Sequence, residues 1–163
     1  MKETIEFAKM LDRVSRTIKT LPQRAATDAV NFSKQRFRDQ NWLDNTTENW
    51  PRRKGRKKRP GRNILTDTAR LRRSIRKVVV TSSYAIIGTD VPYARAHNEG
   101  FRGNVAIKAH QRTRPTRGGR AQVKAHVRKV NLPRRRFIGA SAVLDAKIAR
   151  TMTAEISKAI KGA

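Results

Sequence analysis

The side chains that usually carry catalysis or bind metal ions are few and scattered in this sequence. His97 and Glu99 form the only close acid and base pair, and on a short helix side chains two positions apart diverge. His110 and His126 could pair across a β-ribbon, but no carboxylate lies near them to complete a metal site. The chain has no Cys, which excludes disulfides and zinc–thiolate sites. We therefore expect no enzyme, no metal and no cofactor.

Anion binding is the chemistry that the composition favours. Lys and Arg number 39 against 12 Asp and Glu, a net charge of 39 − 12 = +27. Such charge opposes compactness unless nucleic acid, an acidic protein or an anionic membrane neutralises it. The basic residues concentrate in two regions, 52–62 and the acid-free 102–144. The predicted contacts to phosphate or to an acidic partner are Arg52, Arg53, Lys54, Arg56, Lys57, Lys58, Arg59, Arg112, Arg114, Arg117, Arg120, Lys124 and Arg128.

No membrane partner is expected. The sequence has no run of about 18 apolar residues that could span a bilayer, and its N-terminus lacks the apolar stretch of a signal peptide. We expect synthesis in the cytoplasm.

Two helices are predicted at the N-terminus. Over residues 3–19, apolar side chains spaced 4, 3, 4 and 3 form one helical stripe: Phe7, Leu11, Val14, Ile18 and Leu21. Pro22 predicts a break, with Thr20 capping a second helix that runs to about Gln40. Its inward residues would be Ala25, Ala26, Ala29, Val30, Ser33 and Phe37. The spacing leaves open whether these helices pack on their own domain or on a neighbouring subunit.

Residues 41–66 break the helical pattern and are predicted to be irregular. Trp42, Trp50 and Pro51 precede a basic loop, residues 51–63, in which like charge, Gly and Pro oppose both helix and sheet. A short helix follows, capped by Thr66 or Asp67.

The middle of the chain predicts β-structure. Residues 78–80 and 84–88 are rich in β-branched side chains and flank a polar turn, a pattern typical of an antiparallel hairpin. Pro92 could begin a short helix that Gly100 ends. Residues 102–131 form a basic insert in which 107–112 are echoed by 123–128 around a turn-rich connector. This echo predicts a long protruding β-hairpin, and an irregular basic loop is the alternative.

An amphipathic helix is predicted over Ser141–Lys161, where apolar residues recur every four positions. We predict one α+β domain over residues 1–163: N-terminal helices, a small antiparallel sheet with the long basic β-hairpin, and the C-terminal helix.

Three motifs occur in order along the chain. Residues 65–75 read Leu-Thr-Asp-Thr-Ala-Arg-Leu-Arg-Arg-Ser-Ile, residues 93–100 read Tyr-Ala-Arg-Ala-His-Asn-Glu-Gly, and residues 133–139 read Pro-Arg-Arg-Arg-Phe-Ile-Gly. Together they resemble the motifs of the phage virion-morphogenesis family, the tail-completion proteins of Mu-like and related tailed phages. Ala69 stands where the family pattern has glycine, and Asn98 where it has glutamine.

The resemblance implies structural roles for the matched residues. Tyr93 and Phe137 would be apolar anchors, Arg135 would bridge to a carboxylate or to backbone carbonyls, and His97 is interpreted as a buried or half-buried histidine. The matched positions are Leu71, Ser74, Tyr93, His97, Gly100, Pro133, Arg135, Phe137 and Gly139.

Three functions remain open. The resemblance implies a structural virion protein that forms a homo-oligomeric ring at the head–tail junction or tail end and contacts adjacent neck or tail proteins. The charge favours a sequence-independent nucleic-acid-binding protein. A small ribosome-associated protein would share the charge but not the motifs. We favour the first, because the order of three motifs is more specific than charge, and a ring around genomic DNA would reconcile the first two.

Overall fold

The chain begins with one long helix, not with the two that the sequence predicts. A computed structural model describes residues 2–52, 63–114 and 119–162, and its first helix, α1, runs through Pro22 over Lys2–Asp39. The hydroxyl of Thr20 donates to the carbonyl of Thr17 at 2.8 Å, within the helix, so Thr20 caps nothing. The predicted break is therefore wrong.

The C-terminal helix explains why α1 continues past the proline. Helix α4, Ala142–Lys161, lies antiparallel to α1, with Lys147 3.1 Å from Asp28 and Glu155 3.0 Å from Arg24. The guanidinium of Arg13 donates to the carbonyl of Ala159 at 3.1 Å. Contacts on both sides of Pro22 thus offset the hydrogen bond that the proline removes. Residues 142–161 form the helix that the sequence predicts, capped by the hydroxyl of Ser141.

A short hairpin occupies part of the segment predicted to be irregular. Strands β1, Asn41–Leu43, and β2, Thr47–Asn49, pair antiparallel directly after α1. They hold Trp42 and Trp50 in two separate apolar clusters. An alternation of apolar and polar residues cannot be recognised over three positions, so the sequence did not predict these two strands. Of the basic loop 51–63, residues 53–62 lie outside the described residues.

The next helix is capped differently from the prediction. Helix α2 spans Arg70–Ser74, and its N-cap is Ala69 in the left-handed region, with φ 53° and ψ 11°. Neither Thr66 nor Asp67 caps it. The family pattern has glycine at this position, which the left-handed backbone explains.

The two predicted β-regions form. Strands β3, Arg76–Val80, and β4, Ala85–Gly88, pair antiparallel with an irregularity at Val78, and this hairpin packs on α1. A short helix, α3, covers Ala94–Asn98. The arm, residues 101–132, consists of β5, Phe101–Ile107, paired with β8, His126–Leu132, and of β6, His110–Arg114, paired with β7, Gly119–Val123.

The core joins α1 to the segments that carry the motifs. Phe37 is fully buried and packs edge-on against Trp50, with ring centroids 5.3 Å apart. Its ring also packs at a tilt against Phe137, with centroids 5.1 Å apart. The other buried members of this cluster are Val30, Leu71, Ile75, Val91 and Ala94. A second cluster joins Phe32, Trp42 and Leu144. The predicted inward residues Ala26, Val30, Ser33 and Phe37 are buried. The order of helices and small antiparallel sheets confirms the α+β class.

Candidate functional site

The three motifs meet at one place, which we call the motif junction. It comprises residues 69–75, 93–100 and 133–139. Leu71 is 2% exposed in the core, and the hydroxyl of Ser74 donates to the carbonyl of Leu71 at 2.8 Å and lies against that of Thr89. Motifs that are distant in sequence are thus brought together by tertiary contacts.

Arg135 ties the last motif to the second motif and to Pro51, which lies outside the junction. Its backbone N–H donates to the carbonyl of His97 at 2.8 Å. Its guanidinium, in a side chain buried to 6% exposure, donates twice to the carbonyl of Pro51, at 3.1 and 2.9 Å. Pro133 is half-buried two residues earlier. A charged group this buried is held by its fixed hydrogen bonds, which gives Arg135 a positioning role.

Asn98 is the junction residue whose role the sequence did not predict. Its side-chain carbonyl accepts the backbone N–H groups of Phe137 and Ile138 at 2.9 and 3.0 Å, and its amide donates to the carbonyl of Ile138 at 3.1 Å. One amide side chain thereby mimics a neighbouring strand for the last motif. Its place inside the second motif was the available signal.

Gly100 lies where the junction passes close to the backbone of the last motif. Its φ is +81°, and a Cβ atom there would lie 3.1 Å from the nitrogen of Arg134 and 3.2 Å from the carbonyl of Leu132. Both neighbours are backbone atoms, so a side chain has no room. Gly139, also at positive φ, ends the segment.

The two aromatic motif residues differ in burial. Phe137 is 1% exposed and anchors the last motif in the core, whereas Tyr93 is 43% exposed. The ring of Tyr93 instead packs edge-on against His97, with centroids 5.9 Å apart. Anchoring in the core therefore rests on Phe137.

His97 is half-buried beside a cleft. Burial lowers its pKa below the ordinary 6.5, and the positive charge of Arg135 lowers it further. Its Nδ1 is buried and has no hydrogen-bond partner within the described part of the chain. The cleft, about 280 Å³ in volume, is also lined by Leu65, Leu71 and Tyr93. These contacts favour the neutral imidazole at neutral pH.

The arm carries basic residues on both of its faces. Register places Arg128 opposite Val105 and Lys129 opposite Asn104, and side chains alternate between faces along each strand. Arg112, Arg120, Lys124 and Arg128 are exposed, as is Arg52 at the start of the basic loop. Arg114 ends β6, while Arg53, Lys54, Arg56, Lys57, Lys58, Arg59 and Arg117 lie outside the described residues.

The two histidines of the arm do not pair with each other. Register sets His110 opposite Val123 and His126 opposite Ile107. Each Nδ1 instead lies 2.9 Å from the carbonyl two residues earlier, that of Lys108 or Lys124. The echoed segments thus make the same local hydrogen bond at the two places where the arm changes from one sheet to the next. Among the described residues, no group of three His, Asp or Glu side chains is placed to hold a metal ion.

A basic cleft that the sequence did not predict lies between α1 and α2. Lys34 and Arg38 lie one helical turn apart on α1, and Arg72 and Arg73 approach them from α2 across a space of about 380 Å³. These pairs are more than 30 positions apart, so no local pattern could reveal the cleft.

Core-building motifs combined with projecting basic elements are typical of a protein that works through contacts with other macromolecules. A family model described as the phage virion morphogenesis family matches residues 3–157, and the chain belongs to that family. Its role is therefore virion-associated. Neither the curated proteins nor the solved structures that were searched give a match. No helix in the described ranges is long and apolar enough to cross a membrane.

Proposed function

We propose that this chain is a structural subunit of a tailed-phage virion. Copies of it form a ring at the head–tail junction or tail end, where the ring completes the tail or joins it to the head. The role is structural rather than catalytic. The family match over residues 3–157 carries this proposal.

Exposed apolar surface supports self-association. Large apolar side chains on α1 and on the β3–β4 hairpin remain about half exposed in the single chain, among them Phe7 at 57% and Ile86 at 49%. Contiguous apolar surface of this kind marks interaction sites on soluble proteins.

Light scattering and electron microscopy of the purified full-length chain test the proposal. At about 1 M salt the Debye length falls to roughly 3 Å, so adventitious nucleic acid is released. We expect a defined oligomer with ring-shaped particles under these conditions. A monomer at every salt and protein concentration would overturn the ring.

A second candidate, sequence-independent nucleic-acid binding, draws support from the arm and the basic cleft. Both present exposed cations on surfaces away from the core. Phosphate contacts of this kind need no base-specific geometry. The two functions are compatible if the arm or the cleft faces genomic DNA within the ring.

A further inference from the structure

The N-terminal half of α1 carries an apolar stripe that α4 does not cover. Phe7, Leu11 and Ile18 are 57%, 51% and 49% exposed. Helix α4 ends at Lys161, near Arg13, so the first three turns of α1 continue beyond it. Every described side chain from Glu3 to Lys9 is exposed.

This stripe extends a surface that already binds a β-hairpin within the chain. At roughly 100° per residue, Phe7, Leu11, Ala25 and Ala29 all lie within about 20° of Ile18 around the helix. Ala25 and Ala29 line an apolar groove together with Tyr84 and Ile87 of the β3–β4 hairpin. One continuous helix face is therefore covered at one end, by the hairpin and by Ile148 and Met152 of α4, and is exposed at the other.

The β3–β4 hairpin has an exposed apolar face of its own. Ile87 packs against the core, whereas Ile86, which points the opposite way, is 49% exposed and pairs in register with Val79. Tyr84 and Val78 are 55% and 56% exposed. In the described part of the chain no third strand pairs with this hairpin, and two-stranded sheets are only marginally stable alone.

Both apolar surfaces carry little of the positive charge of the chain. Residues 78–94 contain no Lys or Arg, and residues 2–19, which include the whole stripe, carry five Lys or Arg against three acids, a net charge of 5 − 3 = +2. Two copies of a chain with a net charge of +27 repel each other. Electrostatic repulsion between copies is therefore weaker at these two surfaces than at the arm or the basic cleft.

We propose that the β3–β4 hairpin of one copy packs on the exposed α1 stripe of the next. The eleven-residue rise from Phe7 to Ile18 spans about 16 Å, and the four rises of β3 from Arg76 to Val80 span about 13 Å, so the strand fits within the length of the stripe. The inference rests on the proposed ring and names its interface. The proposed contact is head-to-tail, with one copy contributing the hairpin and the next the stripe, and such a contact generates a ring when the rotation between copies closes.

Aspartate substitutions on each surface test this interface in the full chain at high salt. Leu11→Asp and Ile86→Asp should each raise the protein concentration needed for assembly at least tenfold, with circular dichroism unchanged. Ile5→Asp is the matched control for the helix, since Ile5 is 54% exposed but lies about 140° around α1 from the stripe. Ser82→Asp, in the exposed turn, is the control for the hairpin.

Mixing the two variants separates a head-to-tail contact from a symmetric one. The Leu11→Asp and Ile86→Asp copies retain complementary halves of one interface, so an equimolar mixture should stop at a heterodimer. Because the chain has no Cys, Leu11→Cys and Ile86→Cys should form a disulfide when mixed and none when oxidised separately. A disulfide in Leu11→Cys alone would establish a symmetric helix contact and overturn the inference.

The outcomes also separate this interface from the proposed function. If the wild-type protein and both aspartate variants assemble equally well, the proposed interface is wrong. The proposed ring is not affected by that outcome. Aspartate variants that assemble normally but no longer bind isolated phage tails would assign the surfaces to another virion protein, which also overturns the interface. Wild-type protein that never assembles overturns the ring itself.

Discussion

Ala69 is one of three non-glycine residues in the described part of the chain whose backbone lies in the left-handed region, the others being Gln40 and Leu65. Its φ of 53° lies in the left-handed region, where an L side chain crowds the following carbonyl. The family pattern has glycine there, and the N-cap of α2 requires that conformation whichever residue is present. The chain keeps the turn because Leu71 and Ile75, which follow it, are buried in the core.

Ala69→Gly should therefore stabilise the protein. Relief of the left-handed alanine is expected to raise the free energy of unfolding by about 1 kcal/mol, measured by urea denaturation. Ala154→Gly, at an exposed position inside α4, is the matched control and should lower it by about 1 kcal/mol. A loss of stability in Ala69→Gly would show that the left-handed turn carries no strain.

At the scale of elements, α1 shows how packing outweighs a local signal. Pro22 removes one helical hydrogen bond and crowds the preceding turn, yet the helix continues because α4 contacts it on both sides. The arm shows the converse. Its local pattern of echoed segments was sufficient to predict a ribbon, since its four strands pair with one another, β5 with β8 and β6 with β7.

Pro22→Ala tests whether the proline inside α1 lowers the free energy of unfolding. Restoring the donor to the carbonyl of Ile18 should raise the free energy of unfolding by about 1 to 3 kcal/mol. Gln23→Ala, at the neighbouring position, should change it by less than about 0.5 kcal/mol. If Pro22→Ala lowers the free energy of unfolding, the packing of the pyrrolidine ring in the groove stabilises the protein more than the restored helical hydrogen bond does.

At the scale of the whole molecule, charge and apolar surface are segregated. Cations crowd the arm and the cleft between α1 and α2, whereas exposed apolar residues lie on the start of α1 and on the β3–β4 hairpin. Under the proposed function, this separation leaves different surfaces for an anionic partner and for another copy of the chain.

Charge reversal in the arm tests the anionic partner. The triple change Arg112→Glu, Arg120→Glu and Lys124→Glu should weaken binding to duplex DNA and reduce the salt slope by about 0.9 for each phosphate that the arm no longer neutralises. The matched control reverses three cations of α4, Arg150, Lys158 and Lys161, with the same change in net charge. Equal effects of the two triples would show that net charge alone matters, and an unchanged slope in the arm variant would assign the arm to an acidic protein.

The sequence alone determined the features that depend on local pattern. Apolar spacing predicted α4, β-branched runs predicted the β3–β4 hairpin, and the echoed segments predicted the arm. The sequence was sufficient for these elements because the pattern within each segment indicates its type of secondary structure. The order of the three motifs likewise identified the family before any contact between them was visible.

Only the tertiary structure decided what depends on distant partners. The continuity of α1 through Pro22, the bond of Arg135 to Pro51, the role of Asn98 and the basic cleft all need residues remote in the chain to approach one another. The exposure of Phe7, Leu11 and Ile18 belongs here too. Periodicity shows that a helix has an apolar face, but only the positions of the other elements show whether the chain itself covers that face.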